Sequence, residues 1–75
     1  MKAKPIQRRI GEAVRKRREL LKFSQEGFAD HLKMHRAYYG ALERGEKNLQ
    51  LSTLERVCAG LGAPMSEVIG DAENL

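Results

Sequence analysis

Two arginines bracket a run of small residues in this 75-residue chain: Arg36 and Arg44 enclose the segment AYYGALE, in which Ala37, Gly40 and Ala41 recur. At about 100° per residue, a helix puts Arg36, Ala37, Gly40, Ala41 and Arg44 on one side and Tyr39, Leu42 and Glu43 on the other. The first side suits recognition of a polyanion at close range. A guanidinium is a planar fork of donors that matches guanine O6 and N7, or a phosphate. Alanine methyls suit thymine methyls, and the small residues let the backbone come near. Gly40 costs about 0.5–1 kcal/mol relative to alanine inside a helix. An ordinary surface helix has no reason to carry that cost, whereas entry into a DNA major groove about 12 Å wide supplies one. Close approach of another helix is the competing reason. By position, Arg36 at the helix start is the candidate base reader and Arg44 at the far end the candidate phosphate contact.

Other chemistries find less support. His31 and His35 have a helical metal-binding spacing, but a turn separates them and no third ligand is evident, so neither metal nor cofactor is expected. Cys58 falls among Leu54, Val57 and Leu61 and reads as a small core residue. Ser24, Ser52 and Ser66 lack a base partner and there is no phosphate-cradling glycine loop, so neither an enzyme nor a small-molecule ligand is expected. The net charge of +4 is unevenly spread: +7 over residues 1–22, zero over 23–47 and −3 over 48–75. A basic end of this kind points to a polyanionic partner. The N-terminus is basic without a following apolar run, and no apolar segment approaches the roughly 18 residues of a membrane span. With a single cysteine, the expectation is a cytoplasmic protein with no membrane association.

The elements that must position these residues are short helices. The first is expected over Ile6–Lys22, with the apolar stripe Ile6, Ile10, Val14 and Leu21. Arg18 falls on that stripe, and a charge on an inward face needs a partner. Glu43, at the edge of the inward side of the third helix, is the candidate for a buried ion pair. Ser24 is placed to cap the second helix, with Phe23 and Phe28 at hydrophobic-staple spacing. Lys33–His35 form a turn, and the third helix runs from Arg36 to Arg44 before Gly45. A fourth helix is expected over Leu51–Leu61, with Ser52 and Glu55 at capping-box spacing. A fifth starts near Pro64 and closes at Gly70. The whole is an all-α, compact five-helix bundle: a flexible arm over 1–5, one domain over 6–70 and a tail over 71–75. Met65, Val68 and Ile69 exceed what one small domain can bury, so with Leu75 they form the expected interface of a homodimer.

The motifs SQEGFADHL, RAYYGALERG and NLQLSTLERVCAGLG together resemble the Xre, phage-repressor and Cro type of helix-turn-helix transcriptional regulators, over about residues 6–70. The resemblance implies a lambda-repressor-like DNA-binding domain. Such a domain binds double-stranded DNA sequence-specifically, as a homodimer on a palindromic operator, through the major groove. It implies base contacts from Arg36, Ala37, Gly40 and Ala41. It also implies that Gln25 bonds a phosphate and braces the base-reading side chain, and that Tyr38, Arg44, Lys47 and Asn48 approach the DNA backbone. The Arg18–Glu43 pair has a family counterpart. Three positions depart from the pattern: Lys33 replaces the turn glycine, His35 the capping hydroxyl residue and Leu49 a proline. Within the family, RAYYGALERGEKNLQL is most similar to the controller proteins of restriction–modification systems. The alternative is an antitoxin-type interaction module, which neutralises a partner protein and also binds DNA through this fold. Genomic neighbourhood or a pull-down separates the two.

Overall fold

The computed structural model describes residues 4–75, which form five helices and no strand. In chain order they are α1 (Ile6–Leu20), α2 (Gln25–His31), α3 (Arg36–Glu43), α4 (Leu51–Leu61) and α5 (Met65–Glu73). Residues 1–3 of the expected arm lie outside the described residues. Its remainder leads straight into α1: the Pro5 carbonyl accepts from the Arg8 and Arg9 N–H groups, and Lys4 Nζ lies 3.2 Å from Glu12.

α1 packs against every other helix. Ala13, Val14 and Arg18 form its buried stripe, with Ile10 packed beside them. Ile6 and Leu21, expected on that stripe, are exposed instead. For Leu21 the cause lies at the end of the helix. α1 stops at Leu20, two residues before the expected Lys22, and Lys22 takes a left-handed φ of 67°. The chain reverses there, and Leu21 is carried away from the core. Phe23 is packed against Phe28 with ring centroids 5.2 Å apart, and Phe28 meets Tyr39 edge-on at 5.5 Å. That aromatic chain, with Leu42, Leu54, Val57, Cys58 and Val68, is the centre of the core.

Gly11 fixes how α1 meets α3. A Cβ built there would lie 2.3 Å from the Glu43 carbonyl oxygen and 2.7 Å from that of Leu42. No side chain fits, so the absence of one at Gly11 lets the end of α3 rest directly on α1.

Four helix ends share one device. The N–H just after a left-handed residue bonds back to the carbonyl five residues earlier: Phe23 to Arg18, Met34 to Ala29, Glu46 to Ala41 and Ala63 to Cys58. This satisfies carbonyls the helix leaves open and requires one left-handed residue. Gly45 and Gly62 supply it for α3 and α4, but Lys22 and Lys33 supply it for α1 and α2. Ser24 caps α2 as expected, its hydroxyl accepting from the Gly27 N–H at 2.9 Å. His35 gives α3 no side-chain cap. The expected capping box at Ser52 is not formed: Gln50 is the cap of α4, so Ser52 already lies inside the first turn.

α5 does not close at Gly70. It runs on to Glu73, so residues 71–73 of the expected tail are helical. The reason is tertiary: Ala72 is fully buried, and Arg17 of α1 bonds Asp71 at 2.7 Å and approaches Glu67 at 3.6 Å. Val68, expected at a subunit interface, is also fully buried within its own core.

A left-handed lysine costs about 1–2 kcal/mol relative to a right-handed one, and glycine returns up to about 1 kcal/mol of that in unfolded-chain entropy. Lys33→Gly is therefore expected to raise stability by a few tenths to about 1 kcal/mol, read as a higher midpoint of thermal unfolding. An unchanged or lower midpoint contradicts the strain at this turn.

Candidate nucleic-acid interface

The candidate surface begins with a buried carboxylate. Arg18 donates from Nε to Glu43 Oε2 at 2.7 Å and from Nη2 to Oε1 at 3.1 Å. Gln25 Nε2 donates to Oε1 at 3.0 Å, and the Tyr39 hydroxyl donates to Oε2. Each oxygen accepts two bonds, which fills the acceptor capacity of a carboxylate. Arg18 spends a further donor, Nη1, on the Phe23 carbonyl at 2.8 Å. The side chains of Arg18 and Glu43 are only 9% and 2% exposed. Burial alone would raise the Glu43 pKa; hydrogen bonds from Arg18, Tyr39 and Gln25 outweigh it and hold the group below the usual carboxylate range. For Tyr39, burial comes first and the bond to Glu43 adds to it, so its phenol is held well above the ordinary value. One residue of α3 thus joins α1, α2 and the turn between them.

This network places the opposite side of α3. Arg36 and Ala37 are exposed at its start and Arg44 is exposed just past its end. Tyr38 is half-buried against the core, with Lys47 Nζ 5.6 Å from its ring centroid. Asn48 is tied to α1 by Gln7 Nε2 at 2.6 Å. Lys47 thus stands beside α3, whereas Asn48 is held to α1.

Gly40 and Ala41 differ from expectation: both are buried. The reason at Gly40 is internal to the chain. A Cβ there would lie 3.2 Å from Arg44 Nη1 and 3.3 Å from Gln25 Oε1. The Gln25 side chain crosses above Gly40 on its way to Glu43, so the glycine makes room for that crossing. Gln25 in turn braces Glu43, not Arg36.

Arg36 is braced by residues that the helical spacing did not single out. Its Nε and Nη2 donate to the two oxygens of Asp30 at 3.1 and 2.7 Å, and Nη1 lies 3.5 Å from Glu26. The hydrogen bond from Arg36 holds the Asp30 carboxyl below its ordinary range. Arg44 has a similar partner in Glu46, at 3.0 and 3.2 Å. Sequence reasoning also passed over Arg56 of α4. Its Nη2 donates to the carbonyls of Leu32 at 2.6 Å and Lys33 at 2.9 Å, clamping the turn between α2 and α3 at a helix C-terminus, where a cation is favoured. Beside Arg44, a cleft of about 550 Å³ opens against α1, where Lys4, Arg8 and Arg15 stand among the carboxylates of Glu12, Glu43 and Glu46. Arg8 and Arg15 have no ion-pair partner among the described residues.

The residues considered for other chemistry are elsewhere. His31 lies against Phe23 and Phe28, with centroids 5.0 and 5.9 Å away. No group of three potential metal ligands occurs among the described residues. Cys58 is in the core, where burial pushes its thiol pKa up. No helix among the described residues is long and apolar enough to cross a membrane.

Known proteins resemble this chain in sequence and in fold. The helix-turn-helix family profile HTH_3 matches residues 14–68. The control protein C.MunI of a Mycoplasma species is 41% identical over 69 residues, covering 91% of this chain and 93% of that protein. The immunity repressor of Bacillus phage phi105 is 32% identical over 62 residues, covering 83% of this chain but 43% of the repressor. The crystal structure of the clp gene regulator ClgR from Corynebacterium glutamicum superposes with a TM-score of 0.91 at 26% identity, over 97% of this chain and 94% of that one.

The Glu43 network makes a stability prediction with a defined sign. Glu43 holds its proton less tightly in the folded protein than in the unfolded chain. Its contribution is therefore complete above the unfolded value, about 4.3, and is lost as pH falls through the lower folded value. Removing one partner of a buried pair costs about 3–5 kcal/mol, against a total of about 4–11 kcal/mol for a domain of this length. Arg18→Ala is expected to bring the domain close to unfolding. Tyr39→Phe, which removes one donor to a charged group, is expected to cost about 1.5–3 kcal/mol and to flatten the acid limb of stability against pH. Denaturant titrations at neutral pH and in acid check both, and an unchanged midpoint for Arg18→Ala contradicts the network.

Proposed function

Because this chain belongs to the helix-turn-helix family HTH_3, we propose that it is a sequence-specific transcriptional regulator of the controller and repressor type, which inserts α3 into the major groove of double-stranded DNA. The observation that carries this reading is the exposed start of α3: Arg36 and Ala37 stand clear of the core on a helix whose other side is locked by Glu43. Arg36 and Ala37 reach base edges. Arg44, Tyr38, Lys47 and Asn48 flank them and meet phosphates. Gln25 approaches a phosphate from the start of α2 while its amide stays on Glu43. Gly40 and Ala41 act as the low ground that lets the helix sit close, with base contact limited to what their cover leaves open. Arg8 and Arg15 add cationic groups beside Arg44, whereas Lys4 is paired with Glu12.

Two copies would bind a palindromic operator, with half-sites about one helical turn, roughly 34 Å, apart. Met65 and Ile69 are only half-buried and Leu75 is exposed, which supports a dimer surface along α5 and the C-terminus without Val68. Regulation then follows from protein concentration, because dimerisation and operator binding are coupled by mass action.

Gel-shift titrations test the reading. Affinity is expected to fall steeply between about 50 and 200 mM salt. Arg36→Ala is expected to cost about 1–3 kcal/mol and to relax preference at one base step, whereas Arg44→Ala weakens all sequences alike. An even loss in both variants contradicts the division of roles. Sedimentation at rising concentration is expected to show a dimer that Ile69→Lys dissociates; a monomer throughout contradicts the α5 interface.

A further inference from the structure

The geometry points to Asp30 as a specificity-determining residue that acts through Arg36, a role resting on the DNA reading above. A guanidinium has five N–H donors along two usable edges. Asp30 takes the side edge, with Nε–H on one oxygen at 3.1 Å and one Nη2–H on the other at 2.7 Å. What remains is the end-on edge, formed by Nη1 and the second Nη2–H. That edge is the bidentate fork that matches guanine O6 and N7. Glu26 reaches Nη1 only at 3.5 Å, longer than a good hydrogen bond, from a side chain 70% exposed, so a base displaces it from the fork more readily than it displaces Asp30 from the side edge.

Arg36 and Asp30 come from different helices, and their relative placement is set by the clamped turn at Leu32 and Lys33. Their side chains are 57% and 56% exposed. A pair so exposed adds little to folding, which leaves positioning as its consequence. A free arginine side chain must give up several rotatable bonds to meet a base. One already held by its side edge has given them up, and binds more tightly and more selectively. The nearby carboxylate also repels a phosphate backbone, so removing it raises affinity for DNA in general. Raw affinity therefore does not measure the role of Asp30, whereas base discrimination does.

The experiment selects duplexes from a random-sequence pool with the full chain. Each guanine of the selected duplex is then replaced by 7-deazaguanine, which lacks the N7 acceptor. Wild type is expected to lose about tenfold in affinity at one guanine, and Arg36→Ala to lose that penalty. Asp30→Ala is expected to shrink the penalty to about threefold or less while binding random duplexes more tightly. The double variant is expected to show no penalty beyond that of Arg36→Ala. Thermal midpoints of the Asp30 variant and wild type are expected to agree, which separates positioning from folding. If Asp30→Ala keeps the full penalty, or no guanine replacement penalises wild type, the positioning role is overturned while DNA binding stands. If wild type recovers no duplex from the pool, the DNA reading falls and this role falls with it.

Discussion

A buried carboxylate is expensive, and the fold is arranged around meeting that expense at Glu43. Taking such a group out of water costs several kcal/mol unless charge and hydrogen bonds compensate. Here a guanidinium, a phenol and an amide converge on it, and both oxygens are saturated. The donors come from α1, α2 and α3, so the carboxylate is satisfied only when the three helices hold one mutual orientation. Gly11 allows that orientation by letting the end of α3 rest on α1 without a side chain between. The Arg18 bond to the Phe23 carbonyl extends the same network into the turn before α2.

The outer side of α3 follows from this inner one. Because Glu43 and Tyr39 anchor the helix from within, its first turn can stand out with Arg36 and Ala37 exposed. Because Gln25 must cross the helix to reach Glu43, the next turn must be low. Gly40 therefore answers to an internal crossing, and the groove proposed to approach from outside would ask for the same residue. Both demands are met by one residue type, and a bare helix face does not by itself tell which is acting.

The parts of this arrangement that were legible in the sequence were those with a local signature. Arg18 interrupts an apolar stripe and Glu43 stands at the edge of an inward face, and two opposite charges so placed are natural partners. Ser24 and the Phe23–Phe28 spacing mark the start of α2 through short-range rules. Lys33 stands out through the family resemblance alone, which places a glycine there, and its φ of 54° is left-handed. What the sequence concealed depends on angles between elements. The spacing of Asp30 on α2 carries no information about Arg36 until the turn angle is known. Arg56 is an ordinary surface residue of α4 until its distance to the Leu32 carbonyl is fixed. Gly70 reads as a helix stop by local preference, yet burial of Ala72 and the Arg17–Asp71 pair carry the helix past it. Val68 was assigned outward by counting apolar residues, and the packing of α5 along α1 puts it inside.

Neighbouring positions on α3 consequently differ in how freely they can diverge. A new side chain at Ala37 projects into solvent and alters only what the surface presents. One at Gly40 comes 3.2 Å from Arg44 Nη1 and 3.3 Å from Gln25 Oε1, so the ends of those two side chains must shift, and Gln25 is a donor that Glu43 relies on. A lineage changing its target could thus explore the first turn of the helix one mutation at a time. Change one turn later must also be accommodated by Gln25 and Arg44, which ties the repertoire of readable sequences to the chain's own interior.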